Sequence, residues 1–474
     1  MQECQQLGFA GLMLADLELN YSRFTIERSI MNYIKLTESL VSKAKQFGAN
    51  AAEVYLETGR NLSIQVRDGE VETIEEASSA GVGFRVIVEG KMGFSHCNDL
   101  SNNALEDTLK RAIEFAKLTT PDSNNLLPND KGYTQVDELY DPEIIKIPMD
   151  KKIQMAINLE KLAMKDPRIT KSSGAGYGEG EGEVFIANSN GLSKNFKSTS
   201  CNIGVSVVAE KDEQKNTGDE SCSRRYFADL LPLEEIASKA AKKAWELLDP
   251  VMIPTQRAAV IFDPDVARSL IGGILGALNG ERVTQGASFL KDYLDKPFAS
   301  PLLTIIDDGT RAKGMGSAPF DGEGVPTRKR VLVEKGVVRG FIYNTIVAHR
   351  AGTTSTGNAS RGGFTSLPGI GTHNLYIEAG TNTPAEIIKS TDKGLLLKEV
   401  TGYGIDPVTG NFSGGATGFW IENGEIKHPV QGVTIAGNAL NILNDIDMMG
   451  NDLDMNRGMA APTFRVKEMQ IGGM

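Results

Sequence analysis

The sequence predicts an α+β fold in two domains, built of mostly antiparallel, hairpin-rich sheets with packed helices. Three observations carry this. X-Gly pairs separate alternating apolar segments at Asp68-Gly69, Glu89-Gly90, Asn190-Gly191, Lys335-Gly336 and Asn423-Gly424; tight hairpin turns favour such pairs because their central residues need positive φ. Amphipathic helical stretches punctuate these hairpins. No fixed period of about 20–50 residues recurs, so the chain is not a solenoid.

Residues 1–30 read as an N-terminal extension whose role the sequence leaves open. Ile34–Phe47 is amphipathic and stopped by Gly48. Ala52–Glu57 opens a run of strands: Leu62, Ile64 and Val66 alternate, the chain turns at Asp68-Gly69 and resumes at Val71. Ser101 caps a helix through Leu118, with Leu105, Leu109, Ile113 and Ala116 on one face. Residues 119–149 form a polar connector, and Lys151–Lys165 is helical, ended by Asp166-Pro167. Gly174–Glu183 is glycine-rich and acidic. It lacks the positive field of a phosphate loop and reads as a surface loop. Strands follow at Val184–Ala187 and Ile203–Glu210, then a helix at Leu233–Leu248. Pro250 and Pro254 place the boundary between an N-terminal α+β domain, 31–250, and a β-rich C-terminal domain, 251–474.

The second domain begins with AAVIFDPDVARSLIGGILGALNG. Asp263-Pro264 starts a helix, and Val266, Leu270, Ile274 and Leu278 share one face of it. Asn279-Gly280 ends it. Gly272, Gly273 and Gly276 each cost about 1 kcal/mol relative to Ala, so close approach by another backbone is expected at these three. Strands follow at Leu302–Ile306 and Arg330–Tyr343, then a Gly/Ser/Thr stretch at 351–371, a strand around Leu375, a short helix near Ala385–Ser390, the hairpin at Asn423-Gly424 and a last helix at Asn438–Asp447.

A net charge of −11 works against a nucleic-acid surface, which rests on clustered Lys and Arg. Arg328-Lys329-Arg330 is flanked by Asp321, Glu323 and Glu334 and reads as a solvated strand end. Cys4, Cys97, Cys201 and Cys222 make no CxxC and read as reduced thiols. The N-terminus lacks a basic signal-peptide region, and the central helix offers about a dozen uncharged residues, too few to cross a bilayer. A cytoplasmic location with no membrane or direct nucleic-acid partner is expected.

The glycine helix, GSAPFDGEG (Gly316–Gly324), TTSTGNAS (Thr353–Ser360) and MGNDLDMNRGMAAPTF (Met449–Phe464) together resemble the TldD/PmbA family, described as modulators of DNA gyrase and grouped with metallopeptidases. The resemblance covers the chain from about Tyr33 onward. It implies a helix that, in the TldD branch, carries HExxxH: two His ligands for zinc and a Glu that handles the proton of metal-bound water. Placed on Gly286-Ala287-Ser288, those positions fall on Ile271 and Gly276 for the two His and Gly272 for the Glu. The TldD branch also implies a late Cys ligand, and no Cys follows Cys222. The chain resembles the metal-free PmbA/TldE branch.

Other chemistry is sparse. A metal site needs three or four ligands, and His96, His349, His373 and His428 are not paired at helical spacing. Nucleophile-elbow, phosphate-loop and dinucleotide motifs are absent. Asp321 and Glu323 read as loop residues rather than an acid–base pair, and Tyr343, His349 and Arg350 as a polar patch without a nucleophile. Thr353, Thr354, Gly357 and Asn358 are the candidate peptide- or partner-contact loop, since small residues admit a backbone and the polar ones bond to it; a plain connector is the alternative. The resemblance implies a non-catalytic subunit of a TldD–TldE-type cytosolic metalloprotease acting on unfolded peptides. No cofactor is expected in this chain; zinc belongs to an HExxxH sister, and self-association stays open. The alternatives are a non-enzymatic binding protein that modulates a partner such as DNA gyrase, and a hydrolase with an unrecognised site.

Overall fold

The computed structural model describes residues 32–402, 404–456 and 458–473; the expected extension and Cys4 lie outside the described residues. α1 (Tyr33–Gln46) starts at Asn32, whose side chain accepts from the Lys35 amide. β1 (Ala51–Arg67), β2 (Glu70–Val88) and β3 (Lys91–Cys97) follow, joined by turns with positive φ at Asp68, Gly69, Glu89 and Gly90. α2 (Asn102–Leu118) buries Leu105, Leu109, Ile113 and Ala116. An irregular connector leads to α3 (Met149–Ala163), β4 (Ile169–Asn188), β5 (Ser193–Lys211), β6 (Gln214–Arg224) and α4 (Leu233–Trp245).

The six strands form one antiparallel sheet in the order β3-β2-β1-β4-β5-β6. Val54, Leu56, Leu62, Ile64 and Val66 alternate along β1 and face the helices in two apolar clusters. Tyr55, on the opposite face, packs with Ile186, Leu192 and Phe320, the last from the second half of the chain. The first half therefore has one face covered by its own helices, while the second half docks on the other.

The run Gly174–Glu183, expected as a surface loop, is instead the middle of β4. It pairs with β1 on one side, Val66 opposite Ala175, and with β5 on the other. Its alternation is real, with glycine as one phase: Ala175, Tyr177 and Glu179 are buried toward the helices, and the glycines face away. The Glu179 carboxylate lies 2.6 Å from Lys152 and 3.0 Å from Arg60, and accepts from the Tyr177 hydroxyl at 2.8 Å. Backbone pairing on both sides holds the stretch Gly174–Gly182, which has no side chains on one face.

The second half is a closed barrel and a smaller sheet. β7 (Gln256–Phe262), α5 (Pro264–Leu278) and α6 (Gly280–Thr284) open it, and the expected boundary at Pro250 and Pro254 lies between α4 and β7. β8 (Ile305–Asp308), β9 (Lys329–Glu334) and β10 (Val337–Val338) follow. After α7 (Thr345–Arg350), β11 (Ala359–Ser360) and β12 (Gly369–Ile370) make a short hairpin, and β13 (Leu375–Ile377) joins β8. α8 (Pro384–Lys389), β14 (Lys393–Thr401), β15 (Asn411–Glu422), β16 (Glu425–Asn438), α9 (Ala439–Asn444), β17 (Ile446–Met449), β18 (Met459–Ala460) and β19 (Phe464–Gly472) complete it. The order β16-β15-β14-β7-β19-β17 closes through pairing of β16 with β19, Ile435 opposite Ile471. Phe262 and Phe464 stack in its core with ring centroids 4.8 Å apart.

Two strand glycines let helices rest directly on backbone. A Cβ at Gly93 would sit 2.0 Å from the Ala112 carbonyl oxygen of α2, and one at Gly218 would sit 2.2 Å from the Ala240 oxygen of α4. At Gly182 on β4 the nearest atom would be 3.7 Å away. Gly218→Ala should therefore lower stability by about 1–3 kcal/mol through overpacking. Gly182→Ala should be neutral or stabilising, because it removes freedom from the unfolded chain. Urea midpoints for the two variants check this; equal shifts would refute the helix-on-backbone contact.

Candidate functional site

α5 opens beside a cleft of about 690 Å³ between α4, β6 and the barrel. Asp263 caps the helix by accepting from the Asp265 amide, and Pro264 occupies its first turn. The floor is apolar, with Leu231, Ile261, Ile388 and Leu396. The walls are matched charges: Lys398 Nζ lies 2.8 Å from Asp263, and Lys243 Nζ lies 2.9 Å from Glu220 and 3.2 Å from Asp265. Burial works against the Lys243 ammonium, but the two carboxylates outweigh it and raise its pKa. No histidine lines the cleft. Its chemistry is that of a neutralised polar binding groove.

Val266, Leu270, Ile271, Ile274, Ala277 and Leu278 bury one side of α5. The three glycines divide. A Cβ at Gly273 would lie 2.6 Å from Ile405 Cβ and 2.9 Å from its carbonyl oxygen, and one at Gly276 would lie 3.0 Å from Pro407. Gly272 is exposed and its Cβ would meet nothing within 4 Å. Close packing at Gly272 is thus corrected: the side-chain-free strip runs through Gly273 and Gly276, three apart, because Gly276 lies between Gly272 and Gly273 around the helix and Ile405 and Pro407 approach from the Gly273 side.

Zinc requires several N, O or S donors in one shell. Ile271, Gly272 and Gly276 supply none, and Ile271 is buried in the main apolar cluster. Among the described residues, no group of three or more His, Cys, Asp and Glu converges to hold a metal ion. These residues do not fit a resident zinc. The histidines are scattered: His349 Nδ1 is 2.7 Å from Asn124 Oδ1, His373 Nδ1 is 3.4 Å from Asp307, and His428 Nδ1 is 3.2 Å from the Pro429 oxygen. His96 lies between the rings of Phe94 and Phe364.

The Thr353–Asn358 loop is split by burial. Thr353 and Thr354 are exposed, whereas Gly357 and Asn358 are buried. Asn358 Nδ2 donates to Asp307 at 2.7 Å and to the Gly371 oxygen at 3.0 Å, and its Oδ1 accepts from Thr356. Gly357 has φ of 74° against the Pro326 carbonyl, leaving no room for a Cβ. Gly357 and Asn358 therefore shape the loop from within; only Thr353 and Thr354 present surface to a ligand.

Sequence reasoning passed over what Asp321 and Glu323 do. Glu323 is fully buried and lies 2.8 Å from Arg85, which also meets Glu53 at 2.6 Å. The second Glu323 oxygen accepts from the Thr345 amide at 2.8 Å. Arg361 binds the other Glu53 oxygen. Asp321 accepts from the amides of Glu323, Val325 and Ala359, each at 2.9 Å. Burial and the Glu323 carboxylate push Asp321 up to about 7. The alternating Asp321-Gly322-Glu323-Gly324 run is the local signal; its distant partners leave none. Of the polar patch, Tyr343 is half-buried, while Arg350 lies 2.7 Å from Asp122.

The fold and these features place the chain in the PmbA/TldD metallopeptidase family. Residues 52–116 match the model for PmbA/TldA metallopeptidase domain 1, residues 142–248 the central domain and residues 255–473 the C-terminal domain. Metalloprotease PmbA of Escherichia coli is 31% identical over 93% of this chain and 96% of its own length. Among solved structures, a Bacteroides thetaiotaomicron protein described as a candidate modulator of DNA gyrase superposes with a TM-score of 0.85 at 28% identity, covering 93% of this chain and 98% of that one. TldE from Thermococcus kodakarensis also gives 0.85, at 25% identity, over 92% and 99%. The first two family segments share one sheet here, since β1 pairs with β4.

Two measurements test this site. Gly272→Ala should stabilise the protein by about 1 kcal/mol, the helix-propensity gain at an open position, while Gly273→Ala should destabilise it; thermal unfolding of both checks the placement of the strip. Asp321 has a raised folded-state pKa, so the stability it contributes is present below its ordinary value of 3.8 and lost as pH rises through about 7. The melting temperature of the parent minus that of Asp321→Asn should fall across this window and be flat above it. A difference that does not change with pH would refute the assignment.

Proposed function

We propose that this chain is a PmbA/TldE-like, non-catalytic subunit of a cytosolic TldD–TldE-type metalloprotease that processes unfolded peptides. One observation carries the reading: the helix that would present HExxxH holds Ile271 in an apolar core and glycine at 272 and 276. Further support comes from the neutralised cleft beside α5, which suits binding an extended chain more than cleaving it. In this reading zinc and bond cleavage belong to an HExxxH sister, and this chain supplies part of the enclosure around the substrate. The absence of any helix among the described residues long and apolar enough to cross a membrane is compatible with that setting.

Purification from the native cell tests the reading. The chain should co-purify with an HExxxH protein, and the isolated chain should hold far less than one zinc per subunit after dialysis and cleave no unfolded peptide. Adding the sister should give a peptidase abolished by chelators. One tightly held zinc in the isolated chain, or turnover by it alone, would overturn the proposal. Capture of gyrase without any such sister would replace it with the binding-protein reading.

A further inference from the structure

β2 is longer than the neighbour on its outer side. β3 pairs with it only from Val82 to Val88, so the outer edge from Glu70 to Gly81 has no strand beside it among the described residues. Over Glu70–Ser79, every residue except the half-buried Glu76 is exposed. Both faces of this segment meet solvent as well as its outer edge. Val71 and Ile74 are 40% and 39% exposed. Its sequence, EVETIEEASS, has β-branched residues that favour strands and contains no proline or lysine, two usual guards of a free edge.

Two devices guard this edge: negative charge and a bulge at Glu72, which is the extra residue where Thr73 and Val71 stand opposite the adjacent Gln65 and Val66 of β1. Glu76 is drawn inward by Arg60 at 2.6 Å. Glu72 has only a half-exposed contact with Arg67 at 3.6 Å, worth little in water. Glu70 and Glu75 stand opposite Arg67 and Ser63 of β1, hence on one face of the sheet, and add to the chain's −11. Two copies paired antiparallel about Thr73 and Ile74 would set Glu72 opposite Glu75 twice, and like charges directly opposite destabilise a pair. The same charges favour an incoming strand that carries Lys or Arg.

We propose that the outer edge of β2, Glu70–Ser79, docks a basic extended segment of another polypeptide, which joins the sheet as an added strand with its Lys or Arg against Glu70, Glu72 and Glu75. Main-chain hydrogen bonds supply the attraction, and charge selects the partner. The edge lies away from the α5 cleft, and the inference stands independently of the subunit role above.

The test uses the full chain and a short synthetic peptide alternating valine with lysine, beside the same peptide with glutamate for lysine. Hydrogen exchange should show new amide protection confined to residues 70–79 with the lysine peptide and none with the glutamate peptide. Glu72→Lys with Glu75→Lys should weaken binding by about tenfold or more, the sum of two exposed pairs lost and replaced by repulsion. Glu72→Gln with Glu75→Gln, which keeps the surface neutral, should give a smaller loss. Absent protection at 70–79, equal binding of both peptides, or binding unchanged in both double variants would overturn the proposal. So would concentration-dependent self-association that protects this segment without peptide, which would make a second copy the occupant.

Discussion

A guanidinium sealed between the two halves of the chain governs how they fit. Arg85 is 1% exposed and belongs to the first sheet, so its charge is tolerable only with carboxylates close by. Glu53 on the neighbouring strand provides one; Glu323, from the second half, provides the other. Only docking of the second half completes the shell, leaving Arg85 Nε without a hydrogen-bond partner. Losing either carboxylate would strand a buried charge, a defect that costs about 3–5 kcal/mol. That asymmetry makes the relative placement of the halves specific, whatever its net contribution to stability.

The surrounding loops hang from the same residues. Glu323 reaches the start of α7 through the Thr345 amide, Asp321 holds Ala359, and Arg361 returns to Glu53. Lys194 and Arg225 repeat the principle with carbonyl oxygens. Lys194 donates to the Gly324 oxygen, and Arg225 to the oxygens of Gly314, Met315 and Ser317. Burial lowers the pKa of both, Arg225 to about 10. First-half cations thus grip second-half backbone at Gly314–Ser317 and at Gly324, before and after Glu323 in the chain.

The parts legible in the sequence are those set by local chemistry. Asp68-Gly69, Glu89-Gly90, Lys335-Gly336 and Asn423-Gly424 turn where expected, because positive φ at both central residues leaves a mark in residue type. The turn between β5 and β6 has no glycine; Asp212 takes φ of 53° there, and no pair signal marks it. β4 is hidden because its exposed phase is glycine, which composition alone reads as a loop, whereas its pairing partners, β1 and β5, are far off in sequence or beyond a turn. β7 joins the barrel between β14 and β19, strands more than a hundred residues further along the chain. Arg85, Glu53, Glu323 and Arg361 span more than half the chain, and nothing local ties one to another. The glycines of α5 are visible as a cluster, but which of them touches a neighbour depends on Ile405 and Pro407, distant residues that contact only one side of the helix.

α5 also explains how this fold can do without a metal on that helix. Asp263 caps it, an apolar stripe from Val266 to Leu278 anchors it in the main core, and Gly273 and Gly276 admit Ile405 and Pro407. Each is a packing or capping contribution that asks nothing of a ligand. The positions assigned to zinc donors are therefore governed by other demands: Ile271 by burial, Gly276 by the proline against it, Gly272 by nothing but helix propensity. A His at 271 would place a polar ring in an apolar cluster, with a desolvation penalty of about 1–3 kcal/mol if unpartnered. A His at 276 would collide with Pro407. Two of the three positions resist ligands for reasons of packing, so acquiring a metal here would require remodelling the 405–407 loop and the core together.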